Sequence, residues 1–237
     1  MILSVAVALP TSPPGGPGLH IPDGFLSTPI AISGWVVTIA VLALAVRMTN
    51  RSLDERAVPL MGVMAAFIFA AQMMNFPVAG GTSGHLLGGA LAAILLGPWA
   101  AIIVMTAVVG LQAVLFQDGG MAVMGVNIFN MGILTAFIGA GLYAVAKPFA
   151  RSTAPMLVVA FVAAWLSVEA SAVATALQLA ASDTSPLDVV LPAMVGVHAL
   201  IGIGEGLITA AAIGFVGATR PDLIPRAATV PEGAHGT

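Results

Sequence analysis

Residues 85–116 read HLLGGALAAILLGPWAAIIVMTAVVGLQAVLF, a run with no acidic, lysine or arginine side chain. It is too long for one pass through a bilayer, and Gly97-Pro98 breaks it near the middle. At 1.5 Å per residue, 85–97 reaches about 20 Å, against a hydrocarbon core of about 30 Å. The stretch therefore predicts a short, half-spanning helix followed by a full span at 98–116. How that short helix is counted decides the whole topology.

The surrounding chain has the same character. Its 237 residues are 59% hydrophobic and 7% charged, with a mean hydropathy of +1.07. A soluble domain carries about 25% charged residues, so this chain cannot cover a water-facing surface. Long apolar runs without alternation predict an all-α integral membrane protein, a single bundle of about seven transmembrane helices. The expected segments are 30–46, 58–75, 85–97, 98–116, 121–146, 155–181 and 189–217. There is no cysteine, which excludes disulfides and thiolate ligands and leaves nitrogen, oxygen or thioether donors for any metal. A net charge of −3 offers no nucleic-acid surface, and the partner implied by composition is the lipid bilayer.

Charge orients the bundle. Arg47, Arg51 and Arg56 follow the first segment, Lys147 and Arg151 the fifth, and Arg220 and Arg226 the last; these are all seven basic residues. With seven spans they fall on one side, which the positive-inside rule makes cytoplasmic. An even count would scatter them. The N-terminus is then outside and the C-terminus inside, with residues 218–237 a cytoplasmic, disordered tail and His235 within it.

This topology puts LHIPDGFLS (19–27) and NFPVAGGTSGH (75–85) on the same outer surface, so His20 and His85 share a face. Taken alone, two interfacial histidines are ordinary. Both, however, stand in Gly/Pro/Ser-rich loops where backbone can approach a ligand, and imidazole suits nickel, cobalt, copper and zinc. Two imidazoles need further donors. If residue 19 carried a free α-amine, that amine, the His20 amide nitrogen and the His20 imidazole would give three adjacent nitrogens, and His85 a fourth. A square of nitrogens favours Ni(II) or Cu(II) and accepts low-spin Co(II).

LHIPDGFLS closely resembles the MHIPDGFLS start of the substrate-capture components of cobalt and nickel energy-coupling factor transporters, the CbiM/NikM family. The likeness continues through AQMMNFPVAGGTSGHLLGGALAAILLGPWAA (71–101), LQAVLFQDGGMAVMGVNIFNMG (111–132) and VHALIGIGEGLITA (197–210), in order, over residues 19–217. It implies a seven-helix capture domain that binds Co(II) or Ni(II) as the transported substrate. The ligands it implies are the N-terminal amine, the backbone nitrogen and imidazole of the second residue, and the histidine of GGTSGH. On this chain those are residue 19, His20 and His85.

Two departures stand out: residue 19 is Leu19 rather than Met, and it is not terminal. An overextended gene start accounts for both, since a leucine codon used as a start inserts methionine; residues 1–18 would then be translated upstream sequence. Cleavage after Gly18 is a second account. A retained leader on a divergent relative is the third. MILSVAVAL lacks the basic residues of a signal peptide.

The remaining polar residues are weighed individually. Asn75 is the foremost candidate to orient a metal histidine, with Ser83 beside it in the loop. Asp23 fits a Pro-Asp-Gly turn folding the terminus toward the bundle, and Asp118 is read as a turn residue. Gln72, Gln112, Asn127 and Asn130 could serve the same end but are read first as interhelical glue. Glu169 and Glu205 lie at a depth where a charge costs about 2.5–3.5 kcal/mol. They are read first as protonated, hydrogen-bonded structural glutamates. With His198, about 14 Å along the last segment from residue 189, they also define a competing hypothesis, a proton-coupled secondary metal transporter.

No G-x-x-x-x-G-K-[ST] phosphate loop occurs, so the chain is not expected to be an enzyme or to hydrolyse ATP. The resemblance implies partners instead: a transmembrane coupling protein, cytoplasmic ATPases and a small accessory membrane protein. The expected location is the cytoplasmic membrane of a bacterium or archaeon.

Overall fold

The computed structural model describes residues 20–52, 57–74, 76–77, 83–150 and 152–223. Helix α1 (Thr28–Ser52) and helix α2 (Ala57–Gln72) come first, then a two-residue antiparallel pair, β1 (Phe76–Pro77) with β2 (Ser83–Gly84). Helices α3 (Gly89–Leu96) and α4 (Pro98–Phe116) follow. The next rod is composite: α5 (Met124–Ile128), a π-helical segment (Phe129–Leu134) and α6 (Thr135–Ala146). Helices α7 (Thr153–Ala181) and α8 (Leu187–Thr219) complete the bundle.

Among the described residues these helices make seven rods, and five of the rods are long and apolar enough to cross a membrane. Helix α2, with 16 residues, is shorter. Helix α3, with 8 residues, reaches only about 12 Å. The short third helix is thus shorter than the sequence suggests, because residues 85–88 run irregularly before it. Its end behaves as read: Gly97 closes α3 with φ 83°, and Pro98 opens α4, where its missing N–H costs nothing.

Irregular backbone at membrane depth survives only where protein satisfies it, and α3 is packed accordingly. Six of its residues are buried, and it rests against α4 and α6. Helices α7 and α8 form a long antiparallel pair. Side chains tie the rods together as well. Asn130 and Gln178 exchange amide hydrogen bonds at 2.7 and 2.9 Å, which bears out the interhelical reading of Asn130.

One end of the bundle gathers the N-terminal segment with the turns after α4 and α7. Gly120 N–H donates to the Ile21 carbonyl, and the Thr184 hydroxyl donates to the Phe25 carbonyl. Following each rod away from that end, the described basic residues Arg47, Arg51, Lys147 and Arg220 all come out at the opposite end. The charge asymmetry read from sequence is therefore an asymmetry of the fold.

Candidate metal-capture site

The N-terminal segment is held to the 118–127 turn by reciprocal bonds. The Ile21 N–H donates to Asn127 Oδ1 at 3.1 Å, and Asn127 Nδ2 donates back to the Ile21 carbonyl at 3.0 Å. Two residues on, the Asp23 carboxylate accepts from the N–H groups of Met121 at 3.0 Å and Ala122 at 2.9 Å, at the start of the α5 rod. This is the acceptor a helix N-terminus lacks. The approach is close because Gly120 has no side chain: a Cβ there would lie 2.1 Å from Asp23 Oδ1. The turn reading of Asp23 is correct but incomplete, since the carboxylate docks the segment.

That docking buries His20, whose side chain is 1% exposed. Its Nδ1 lies 3.1 Å from the Asp118 carbonyl oxygen, and an oxygen there can only accept, so Nδ1 carries the proton. Nε2 then presents a lone pair, buried and without a hydrogen-bond partner. Burial pushes the His20 pKa down to about 4, against the opposing pull of Asp118, so the imidazole is neutral at pH 7. A neutral imidazole is the protonation state a metal needs, whichever nitrogen binds.

His85 meets it from the other side. The ring centroids are 5.4 Å apart with planes at 68°, and His85 Nδ1 donates to the Leu86 carbonyl at 2.8 Å. Both histidines thus spend Nδ1 on a backbone carbonyl. The segment carrying His85 is gripped by two helices. Glu205 of α8, 1% exposed, accepts from the Leu87 N–H at 2.7 Å and the Gly88 N–H at 2.8 Å. Gln72 of α2 donates to the Leu87 carbonyl at 2.6 Å. Gly88 has φ +83°, and Ile68 side-chain atoms stand 2.8 Å from where its Cβ would be.

The sequence-predicted residues thus separate into groups. His20, His85, Asp23 and Glu205 converge on this end of the bundle. Leu19 and Asn75 lie outside the described residues, as does the side chain of Ser83. His198 bonds the Met194 carbonyl of its own helix through Nδ1 at 2.7 Å. No hydrogen bond joins Glu169, His198 and Glu205 among the described residues, so the relay lacks direct links. Glu205 is hydrogen-bonded, as its structural reading expects, with both oxygens accepting from backbone N–H groups.

The sequence reading missed Asn127, taken for glue, and the main chain of Asp118. Only the position of Asn127 within the QDGGMAVMGVN motif hinted at a role near the terminus. No group of three or more acidic, cysteine or histidine side chains forms a metal cluster among the described residues. Among the described residues the side chains at this place are two imidazoles and the Asp118 carboxylate, 3.9 Å from His20 Nδ1, so further donors there would be backbone or carboxylate groups.

The helices long and apolar enough to cross a membrane, with two buried imidazoles meeting at one end, define an integral membrane protein with a candidate metal site. Residues 20–223 match the family described as "Cobalt uptake substrate-specific transmembrane region", and the chain belongs to that CbiM family. It is 42% identical over 208 residues to a Haloquadratum walsbyi protein named for metal transport, covering 87% of this chain and 93% of that one. It is 32% identical to the cobalt transport protein CbiM of Sorangium cellulosum, over 88% of this chain and 95% of that one. The fused nickel transport protein NikMN of Rhodobacter capsulatus is 31% identical, over 90% of this chain and 67% of that protein. A crystal structure of a truncated transition metal transporter aligns with a TM-score of 0.77 at 33% identity, covering 84% of this chain and 99% of that one. The protein is thus a multi-pass cell-membrane transport component of that family, and not an enzyme.

Proposed function

We propose that this chain is the substrate-binding component of an ATP-driven importer and captures Co(II) or Ni(II) at the outer face of the cytoplasmic membrane. The ligands are the α-amine of a chain beginning at residue 19, the His20 amide nitrogen and imidazole, and His85. The observation that carries this reading is the buried meeting of His20 and His85, centroids 5.4 Å apart, with His85 Nδ1 held by the Leu86 carbonyl. A chelate ring that includes the His20 amide nitrogen closes through Nδ1 of the same residue. Loading therefore exchanges the Asp118 carbonyl for the ion and leaves the imidazole proton on Nε2, the tautomer opposite to the one the Asp118 contact holds. Without a phosphate-binding loop, the energy comes from separate ATPases acting through a transmembrane coupling protein, with a small accessory membrane protein.

Calorimetry with Ni(II) and Co(II), combined with intact-protein mass spectrometry, tests the reading. One ion per chain is expected, on a chain whose first residue is 19. Binding that survives both His20→Ala and His85→Ala, or full binding by a chain that retains residues 1–18, overturns it. Uptake into proteoliposomes should require the partners and ATP; uptake by this chain alone on a pH gradient would support the proton-coupled alternative.

A further inference from the structure

We propose that Glu205 is a positioning residue for the capture site, orienting and polarising the His85 imidazole through the peptide unit between Leu86 and Leu87. The inference rests on the reading of His85 as a metal ligand. It follows from one plane of atoms. The Leu86 carbonyl and the Leu87 N–H belong to the same rigid peptide. His85 Nδ1 donates to that carbonyl at 2.8 Å, and the N–H donates to Glu205 Oε2 at 2.7 Å. The result is a carboxylate–peptide–imidazole chain.

Metal-binding histidines commonly give their second N–H to a carboxylate or a carbonyl, which fixes the ring and strengthens it as a ligand. Here both are used in series. The carboxylate polarises the peptide, the carbonyl becomes a better acceptor, and Nε2 a better donor to the ion; hydrogen bonds in chains reinforce one another. Two more contacts keep the peptide from swinging. Glu205 Oε1 accepts from the Gly88 N–H at 2.8 Å, and Gln72 holds the Leu87 carbonyl at 2.6 Å. Glu205 comes from the middle of α8, so the loop that carries the ligand is fastened to a helix running to the opposite end of the bundle. A plain cap for α3 would not require a carboxylate at membrane depth; a local hydroxyl serves that purpose.

The test is a double-mutant cycle read by nickel affinity and by the visible absorption of bound nickel. Glu205→Gln keeps the volume but turns an NH2 toward one of the two N–H donors. The expected outcome is an affinity loss of about tenfold or more, within the range for partners of metal ligands. The d–d band should move to longer wavelength as the His85 ligand field weakens. In a His85→Ala background the same change should cost no further affinity. An equal loss in both backgrounds, or an unchanged affinity and spectrum, overturns the proposal. Glu205→Asp, run through the same cycle, serves if the glutamine variant does not fold; failure of both to fold makes the residue a folding element and also overturns it. Wild-type affinity in His85→Ala alone would sink the ligand assignment itself, a result separable from any outcome at Glu205.

Discussion

His20 and His85 meet edge to face, ring centroids 5.4 Å apart, although α1 and α2 lie between them in the chain. The contact joins the docked N-terminal segment to the irregular stretch before α3. Neither element is held by its own secondary structure, so the site exists only because side chains from α2, α8 and the composite rod fasten both. Removing either imidazole should cost nickel affinity at least about 100-fold, more than loss of an outer partner. Apo-protein melting should fall for His85→Ala, whose truncation leaves the buried Leu86 carbonyl without its donor, at a cost of about 1–3 kcal/mol. Calorimetry and thermal unfolding of each variant check this.

Acidity separates the two possible ligand sets. Burial holds the His20 pKa at about 4, so this imidazole displaces no proton on binding metal above about pH 5. An α-amine has a pKa of about 7.7–8.0, and an amide must always lose its proton to bind. With both in the site, log Kd for nickel should rise by two per unit fall in pH below about 7.7, and by one above it. Binding without the amine and amide would release neither of these protons, so log Kd would show no slope above about pH 7.7, where the amide alone still gives one. Titrations at a series of pH values measure the slope directly.

Docking of the N-terminal segment should be separable from coordination. Asn127→Ala removes both bonds to the Ile21 peptide groups. Leaving buried polar groups unpaired costs about 1–3 kcal/mol. The loss should fall on the bound state, as a higher nickel Kd and a smaller rise in melting temperature on adding nickel. An Asn127→Ala protein whose melting temperature still rises with nickel as the wild type's does would show that the clamp does not serve capture.

Much of this was legible in the sequence, for identifiable reasons. Apolar length and the Gly97-Pro98 break located the rods, because helix extent in a membrane follows from hydrocarbon thickness. The seven-rod count followed from where Arg47, Lys147 and Arg220 had to fall. The start of α3 did not follow, because residues 85–88 are apolar and glycine-rich, indistinguishable in pattern from the helix they precede. What makes them irregular is a carboxylate far along the chain at Glu205. Asn127 was misread for the same reason: an amide on an apolar segment looks alike whether it faces a helix or the backbone of Ile21. The π-helical segment 129–134 has no sequence signature that periodicity detects.

The close approach of backbone to Asp23 yields the most local prediction. At Gly120 an added Cβ would lie 2.1 Å from Asp23 Oδ1 and 2.3 Å from the Asp23 backbone nitrogen. The second of these atoms is main chain, so no side-chain rotation relieves the clash. Gly120→Ala must displace the segment that carries His20, breaking the Asp23 bonds to Met121 and Ala122. The loss of such capping bonds is worth about 0.5–2 kcal/mol, and the displaced His20 should lower nickel affinity further. Gly110→Ala is the matched control: its Cβ would meet nothing within 4 Å, in the interior of α4, and binding should stay at the wild-type value. Equal nickel affinities for the two variants, measured by calorimetry at one pH, would mean that the position of the N-terminal segment does not govern capture.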